Sequence, residues 1–165
     1  MKSSHVLFLG LLAAVGIWWM LTAPDDADAE IRARLDVFEQ LLQKAPGEQA
    51  LESADRARRV TELLAPEFVL RLEPIGQEIR DPAALTRPFV GLRRSVEQLE
   101  VDFHGLDIEI ADDGRTAQST MSATLQATGG DNRRGTYTVS IRWLLAREWL
   151  IEELHAAERN DGLFD

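Results

Sequence analysis

The sequence predicts an α+β fold: an N-terminal transmembrane helix, then a curved, mostly antiparallel sheet wrapped around three helices. Three observations point to it. Val6 to Thr22 carries no charge and is dominated by Leu, Val, Ala, Ile, Phe and Trp, so it has no polar face to turn toward water. Apolar residues then recur at helical spacing from Ile31 to Leu64, the mark of helices with one buried stripe. Finally, Tyr137, Val139, Ile141, Trp143 and Leu145 alternate with Thr136, Thr138, Ser140 and Arg142, the period of a strand with one buried face.

The division that follows is a cytoplasmic tail over 1–5, a span over 6–23, an acidic linker over 24–29, one domain over 30–158 and a tail over 159–165. The apolar run reaches about 26 Å as a helix, slightly short of a hydrocarbon core of about 30 Å. Lys2 and His5 precede it, and Asp25, Asp26 and Asp28 follow it. The basic side stays in the cytoplasm, so the domain is expected outside the inner membrane of a bacterium, with Trp18 and Trp19 at the outer interface. The alternative is a secreted protein cleaved near Ala29, because Ala27-Asp28-Ala29 has the small-x-small form a signal peptidase reads.

Within the domain, Ala29 to Lys44 is the first helix, with Ile31, Leu35, Phe38, Leu41 and Leu42 on one face, and Pro46-Gly47 ends it. Glu48 to Leu64 is the second, stopped by Pro66. A short strand follows over Phe68 to Glu73, then a turn at Pro74-Ile75-Gly76 and an extended piece over Gln77 to Arg80. Asp81-Pro82 has the form of an N-cap and first helical residue, so a third helix runs to about Arg94, kinked or shortened by Pro88. Val101 and Phe103 are odd-numbered but Leu106, Ile108 and Ile110 even, so the buried face changes parity and Gly105 is expected in a bulge. Asp112-Asp113-Gly114 is a turn into a strand with Ala117, Met121, Ala123, Leu125 and Ala127 on one face. Gly129 to Arg134 is a polar loop before a last hairpin, in which Ala146 to Glu148 leave room only for a tight turn to Trp149.

A net charge of -10 over 165 residues argues against nucleic acid, which needs a basic face for its phosphates, and disfavours acidic substrates. The absence of cysteine removes disulfides, thiolate metal sites and thiol nucleophiles. No cofactor is expected. No metal is expected either: the cluster of Asp25, Asp26, Asp28 and Glu30 lacks the interleaved glycine of a calcium loop and reads as a juxtamembrane spacer.

Helix, helix, short strand pair, helix, then a bent strand and three long antiparallel strands: this order resembles the nuclear transport factor 2-like superfamily over about Glu30 to Glu158. Its carriers are Ile141-Arg142-Trp143-Leu144-Leu145, the tight turn, and Glu148-Trp149-Leu150-Ile151 opening the last strand. The resemblance implies a cone with an apolar pocket, lined here by Phe38, Phe68, Phe103, Tyr137 and Trp143, and a homodimer through a sheet face. The fold does not imply one activity.

Enzymes of that superfamily place a carboxylate or histidine in the cone, where burial shifts its pKa toward the working range. The candidates in this chain are Tyr137, on the apolar face, and Glu153 and His155, in the last strand. Each also has a plainer reading: Tyr137 as a core aromatic with its hydroxyl at the rim, His155 as a structural or surface histidine. The face of the last strand stays ambiguous, because Leu150 and Leu154 are as apolar as Trp149 and Ile151. His104, out of phase with Val101 and Phe103, points to solvent or a partner's sheet. The poverty of convergent ionisable groups favours a membrane-anchored, extracytoplasmic binding or assembly module that engages a protein partner or a small apolar ligand without catalysis. The alternatives are a small isomerase- or dehydratase-type enzyme and a purely structural envelope subunit with a filled cone.

Overall fold

The computed structural model describes residues 26–129 and 132–159. The span predicted over 6–23 lies outside the described residues. Among the described residues no helix is long and apolar enough to cross a membrane.

Helices α1 (Asp26–Leu42) and α2 (Ala50–Glu62) lead into β1 (Leu64–Leu72), a single helical turn over Glu73–Ile75 and β2 (Gln77–Ile79). Helix α3 (Pro82–Ser95) precedes four long strands, β3 (Gln98–Ile110), β4 (Thr116–Thr128), β5 (Arg133–Leu145) and β6 (Trp149–Glu158). The sheet order is β2-β1-β6-β5-β4-β3; among the described residues the β1–β6 pair is parallel and the other four pairs are antiparallel. One face carries the helices and the core: Ile31, Leu35, Phe38 and Leu41 from α1 pack with Met121, Ile141, Trp143, Trp149 and Ile151. This is the expected α+β cone.

Several boundaries differ from the sequence reading. The first helix starts at Asp26 rather than Ala29, so most of the acidic stretch read as a linker is its first turn. Acidic side chains are favoured there by the helix dipole, and Asp28 pairs with Arg32 one turn on, at 2.6 Å. The second helix stops at Glu62 and β1 already runs from Leu64 through Pro66. Proline is tolerated because the β1–β6 register is irregular between Leu64 and Val69, where no ladder bond requires its missing N–H. Helix α3 runs through Pro88, an exposed position, to Ser95. Strand β5 starts inside the stretch read as a loop: Arg133 and Arg134 are in register with Ala127 and Gln126.

The bulge lies where the parity change requires it. The β3–β4 register shifts between His104 and Asp107, and Gly105 has φ +68°, a left-handed conformation that costs a residue with a Cβ. No heavy atom outside its own stretch of chain would touch an added Cβ, so the penalty is backbone strain alone. Gly105→Val is expected to lower unfolding stability by about 1–3 kcal/mol. An unchanged midpoint in urea would show that the strand absorbs the extra residue elsewhere.

Strand β3 is a sheet edge, and α1 closes its first half. Lys44 N–H donates to the Leu99 carbonyl (2.8 Å) and Leu99 N–H to the Lys44 carbonyl (3.1 Å). The Gln43 amide bonds both backbone groups of Val101, and Phe103 N–H reaches Glu39 at 3.4 Å. The Lys44 backbone and the side chains of Gln43 and Glu39, at or just beyond the end of α1, thus satisfy backbone groups that would otherwise invite another strand. They also set α1 antiparallel to β3.

Candidate functional site

Of the five residues expected to line a pocket, three are core. Phe38, Phe68 and Trp143 are 6%, 1% and 1% exposed, and the Trp143 indole N–H donates to the buried Ser119 hydroxyl at 2.9 Å. With Trp149 and Ile151 they fill the base of the cone. Phe103 and Tyr137 are only half buried and stand at the rim. Phe103 stacks on Phe38, with ring centroids 6.1 Å apart. Tyr137 folds over Gly135, whose added Cβ would fall 2.8 Å from the tyrosine hydroxyl, so glycine is what lets the ring lie along its own strand.

Glu153 and His155 do not join them. In the β5–β6 ladder Arg142 faces Glu153 but Trp143 faces Ile151, so Glu152 is an extra residue and inverts the alternation. Ile151 and Leu154 both point into the core, while Glu153 and His155 share the outer face with Arg142 and Ser140. Glu153 pairs there with Arg71 and, at 3.3 Å, with Arg142; His155 Nε2 lies 2.8 Å from Glu73 Oε1. Tyr137 is therefore across the sheet from both. His104 is exposed on the outer face beside Asp102. That face also carries Thr120, Ser122, Thr124, Thr138 and Ser140, a polar surface.

Two carboxylates escaped the sequence reading. Burial, with the charges of Asp102 and Asp36, raises the Glu39 pKa above the usual range against the opposing Phe103 N–H. Its signal in sequence was weak: Glu39 and Gln43 lie one turn apart beside the apolar stripe. The other is Glu48, 4% exposed, held by Arg93, itself 1% exposed on α3. Arg93 Nε donates to Glu48 Oε1 at 2.8 Å, and its remaining nitrogens reach the Leu41, Leu42 and Gln43 carbonyls at the end of α1. This cluster fastens three helices and holds no free group for chemistry. Among the described residues no group of three acidic or histidine side chains could hold a metal ion.

A shallow open cleft of about 530 Å³ lies on the helical side, lined by Arg58, Thr61, Pro66, Pro82 and Thr86 among others. It includes none of the candidates, and the Arg58 guanidinium is engaged by Asp55 and Glu62.

No protein-family model matches the chain, and no curated protein matches it. Solved structures do. A nuclear transport factor 2-like protein with a cystatin-like fold from Novosphingobium aromaticivorans is 14% identical, with TM-score 0.66 over 99% of this chain and 94% of its own. A protein from the same family in Streptomyces avermitilis, provisionally named a dehydratase, is 11% identical, with TM-score 0.67 over 82% of this chain and 99% of its own. A cystatin-like-fold protein from Caulobacter vibrioides is 10% identical, with TM-score 0.65 over 82% of this chain and 92% of its own. The chain thus has the nuclear transport factor 2-like, cystatin-like fold. At these identities the likeness extends to the fold alone.

Proposed function

We propose that the chain is a binding or assembly module, anchored in the inner membrane of a bacterium by a single N-terminal span, with its cone on the periplasmic side and no catalysis. The observation that carries the non-catalytic part is the separation of the candidates. Tyr137 stands at the concave rim, and Glu153 and His155 lie on the outer face bound to Arg71, Arg142 and Glu73. Acid–base catalysis needs such groups within hydrogen-bond reach of one substrate, and a cone whose base is filled by Trp143, Trp149 and Phe68 leaves only the rim for an apolar ligand. The anchor rests on the apolar run and its charge asymmetry; cleavage near Ala29 would instead release the domain.

A protein partner or a second copy would use the Ser- and Thr-rich outer face, which is neutral at its centre and lets two surfaces approach without desolvating charge. Thr120→Arg and Thr138→Arg, both at exposed positions, are expected to reduce co-purified partner or dimer roughly tenfold while the domain stays folded. Undiminished association in both variants would remove that face as the interface. The name of the Streptomyces avermitilis neighbour favours a second reading, a small dehydratase- or isomerase-type enzyme working at the rim around Tyr137.

A further inference from the structure

We propose that the end of the domain built from the start of α1, the β3–β4 turn and the β5–β6 turn lies against the lipid headgroups, with the Phe103 and Tyr137 rim held away from the bilayer and open to the aqueous phase. The proposal rests on the anchored reading above. Only Ala23, Pro24 and Asp25 separate the apolar run from α1, and so short a stretch reaches at most about 14 Å. The start of α1 must therefore sit at the membrane surface.

The contacts of α1 then orient the rest. Lys44 meets Leu99 and Glu39 meets Phe103, so the helix runs back along β3 and begins near the strand's far end at Ile110. Arg34, at the midpoint of α1 and just over one turn before Glu39, pairs with Glu148 in the β5–β6 turn. The Leu145 N–H donates to the Arg115 carbonyl at 2.8 Å, which ties that turn to the β3–β4 turn. All three features share one end. At 1.5 Å per residue, Glu39 is about 20 Å along the helix from its start. Phe103 is bonded to Glu39, and Tyr137 is in register with Phe103 through Ala123; the rim is carried up to that height.

An upright domain fits better than one lying on α1. The apolar stripe Ile31, Leu35, Phe38 and Leu41 is packed on the sheet, and the exposed flank carries Glu30, Asp36 and Val37 beside Arg32, whose charge is paired with Asp28. A helix lying in the interface needs an apolar face flanked by basic residues, and acidic ones are repelled by anionic headgroups. The lower end itself mixes Asp112, Asp113 and Glu148 with Arg115 and Arg147, so the tether and not charge attraction holds it there. A ligand or partner accordingly reaches the rim from water, not from within the bilayer.

Since the chain has no cysteine, a single introduced one can carry a fluorophore without interference. Arg147→Cys, in the lower turn, and Gln126→Cys, near the rim end of β4, are both at exposed positions. The full-length variants would be reconstituted in phosphatidylcholine vesicles bearing a headgroup nitroxide quencher. Quenching is expected to be several-fold stronger at 147 than at 126, and unchanged when anionic lipid is added. Equal or reversed quenching in a chain that floats with the vesicles would overturn the orientation while leaving the anchor intact. Failure of the chain to float with vesicles would overturn the anchored reading, and the orientation with it.

Discussion

Replacing Arg93 by methionine is expected to destabilise the domain by about 3–5 kcal/mol, the usual cost of removing one partner of a buried ion pair. The guanidinium lies over the Phe89 ring, 5.2 Å from its centre, and bonds Glu48 and three carbonyls at the end of α1. Its loss removes the closest counter-charge from a buried carboxylate, which keeps only Ser53 at 2.6 Å and Arg56 at 3.4 Å, and takes the guanidinium donors from those carbonyls. The effect has a pH signature. Burial alone would push the Glu48 carboxyl up, but hydrogen bonds from Arg93 and Ser53 and the charges of Arg93 and Arg56 outweigh it, and the group titrates below its ordinary value. A depressed pKa stabilises the fold above the unfolded carboxylate range, near 4.3, and that contribution disappears as pH falls through the folded value. The wild type should therefore lose stability on acidification while Arg93→Met, in which only Ser53 and Arg56 still favour the Glu48 carboxylate, loses less. Denaturant midpoints at neutral and acid pH measure both. A neutral-pH loss under about 1 kcal/mol would mean the pair is solvated. Adding Glu48→Met to Arg93→Met should restore part of the loss, because an apolar pair leaves no orphaned charge.

Trp143→Ala should cost about as much, 3–5 kcal/mol, for a different reason. The ring is 1% exposed, between β4 and β6, facing Ala117 across one ladder and Ile151 across the other. Neither neighbour can expand into the space, and Ser119, fully buried, loses the indole N–H that satisfies its hydroxyl. The urea midpoint should fall with the slope of the transition unchanged. Near-native stability would mean that the indole faces solvent, and the burial assigned to the last hairpin would have to be inverted.

What could be read from sequence follows from how local each signal is. The strand over Thr136 to Leu145 and the bulge at Gly105 were legible because alternation, and a break in it, are properties of consecutive residues. The bulge at Glu152 was not: Leu150, Ile151 and Leu154 are apolar on both parities, and only pairing with Arg142 and Trp143 decides which face each takes. That one residue puts Glu153 and His155 on the outer face, across the sheet from Tyr137. Arg93 was illegible for a similar reason. An arginine near the end of a helix reads as solvated, and its partners Glu48 and Leu41 lie some fifty positions away. The pocket expectation mixed two kinds of aromatic, because composition cannot separate Phe68 and Trp143, which fill the base, from Phe103 and Tyr137, which stop at the rim.

Under the proposed function this cone associates with a partner or ligand and transfers no proton. Complementation of a deletion strain with Tyr137→Phe, Glu153→Gln and His155→Gln, singly and together, tests it most directly, with folding and partner co-purification checked for each variant. Full complementation by all of them, alongside failure of Thr138→Arg, is the predicted result. Loss of function in Glu153→Gln with folding and partner binding intact would contradict it and favour the enzyme.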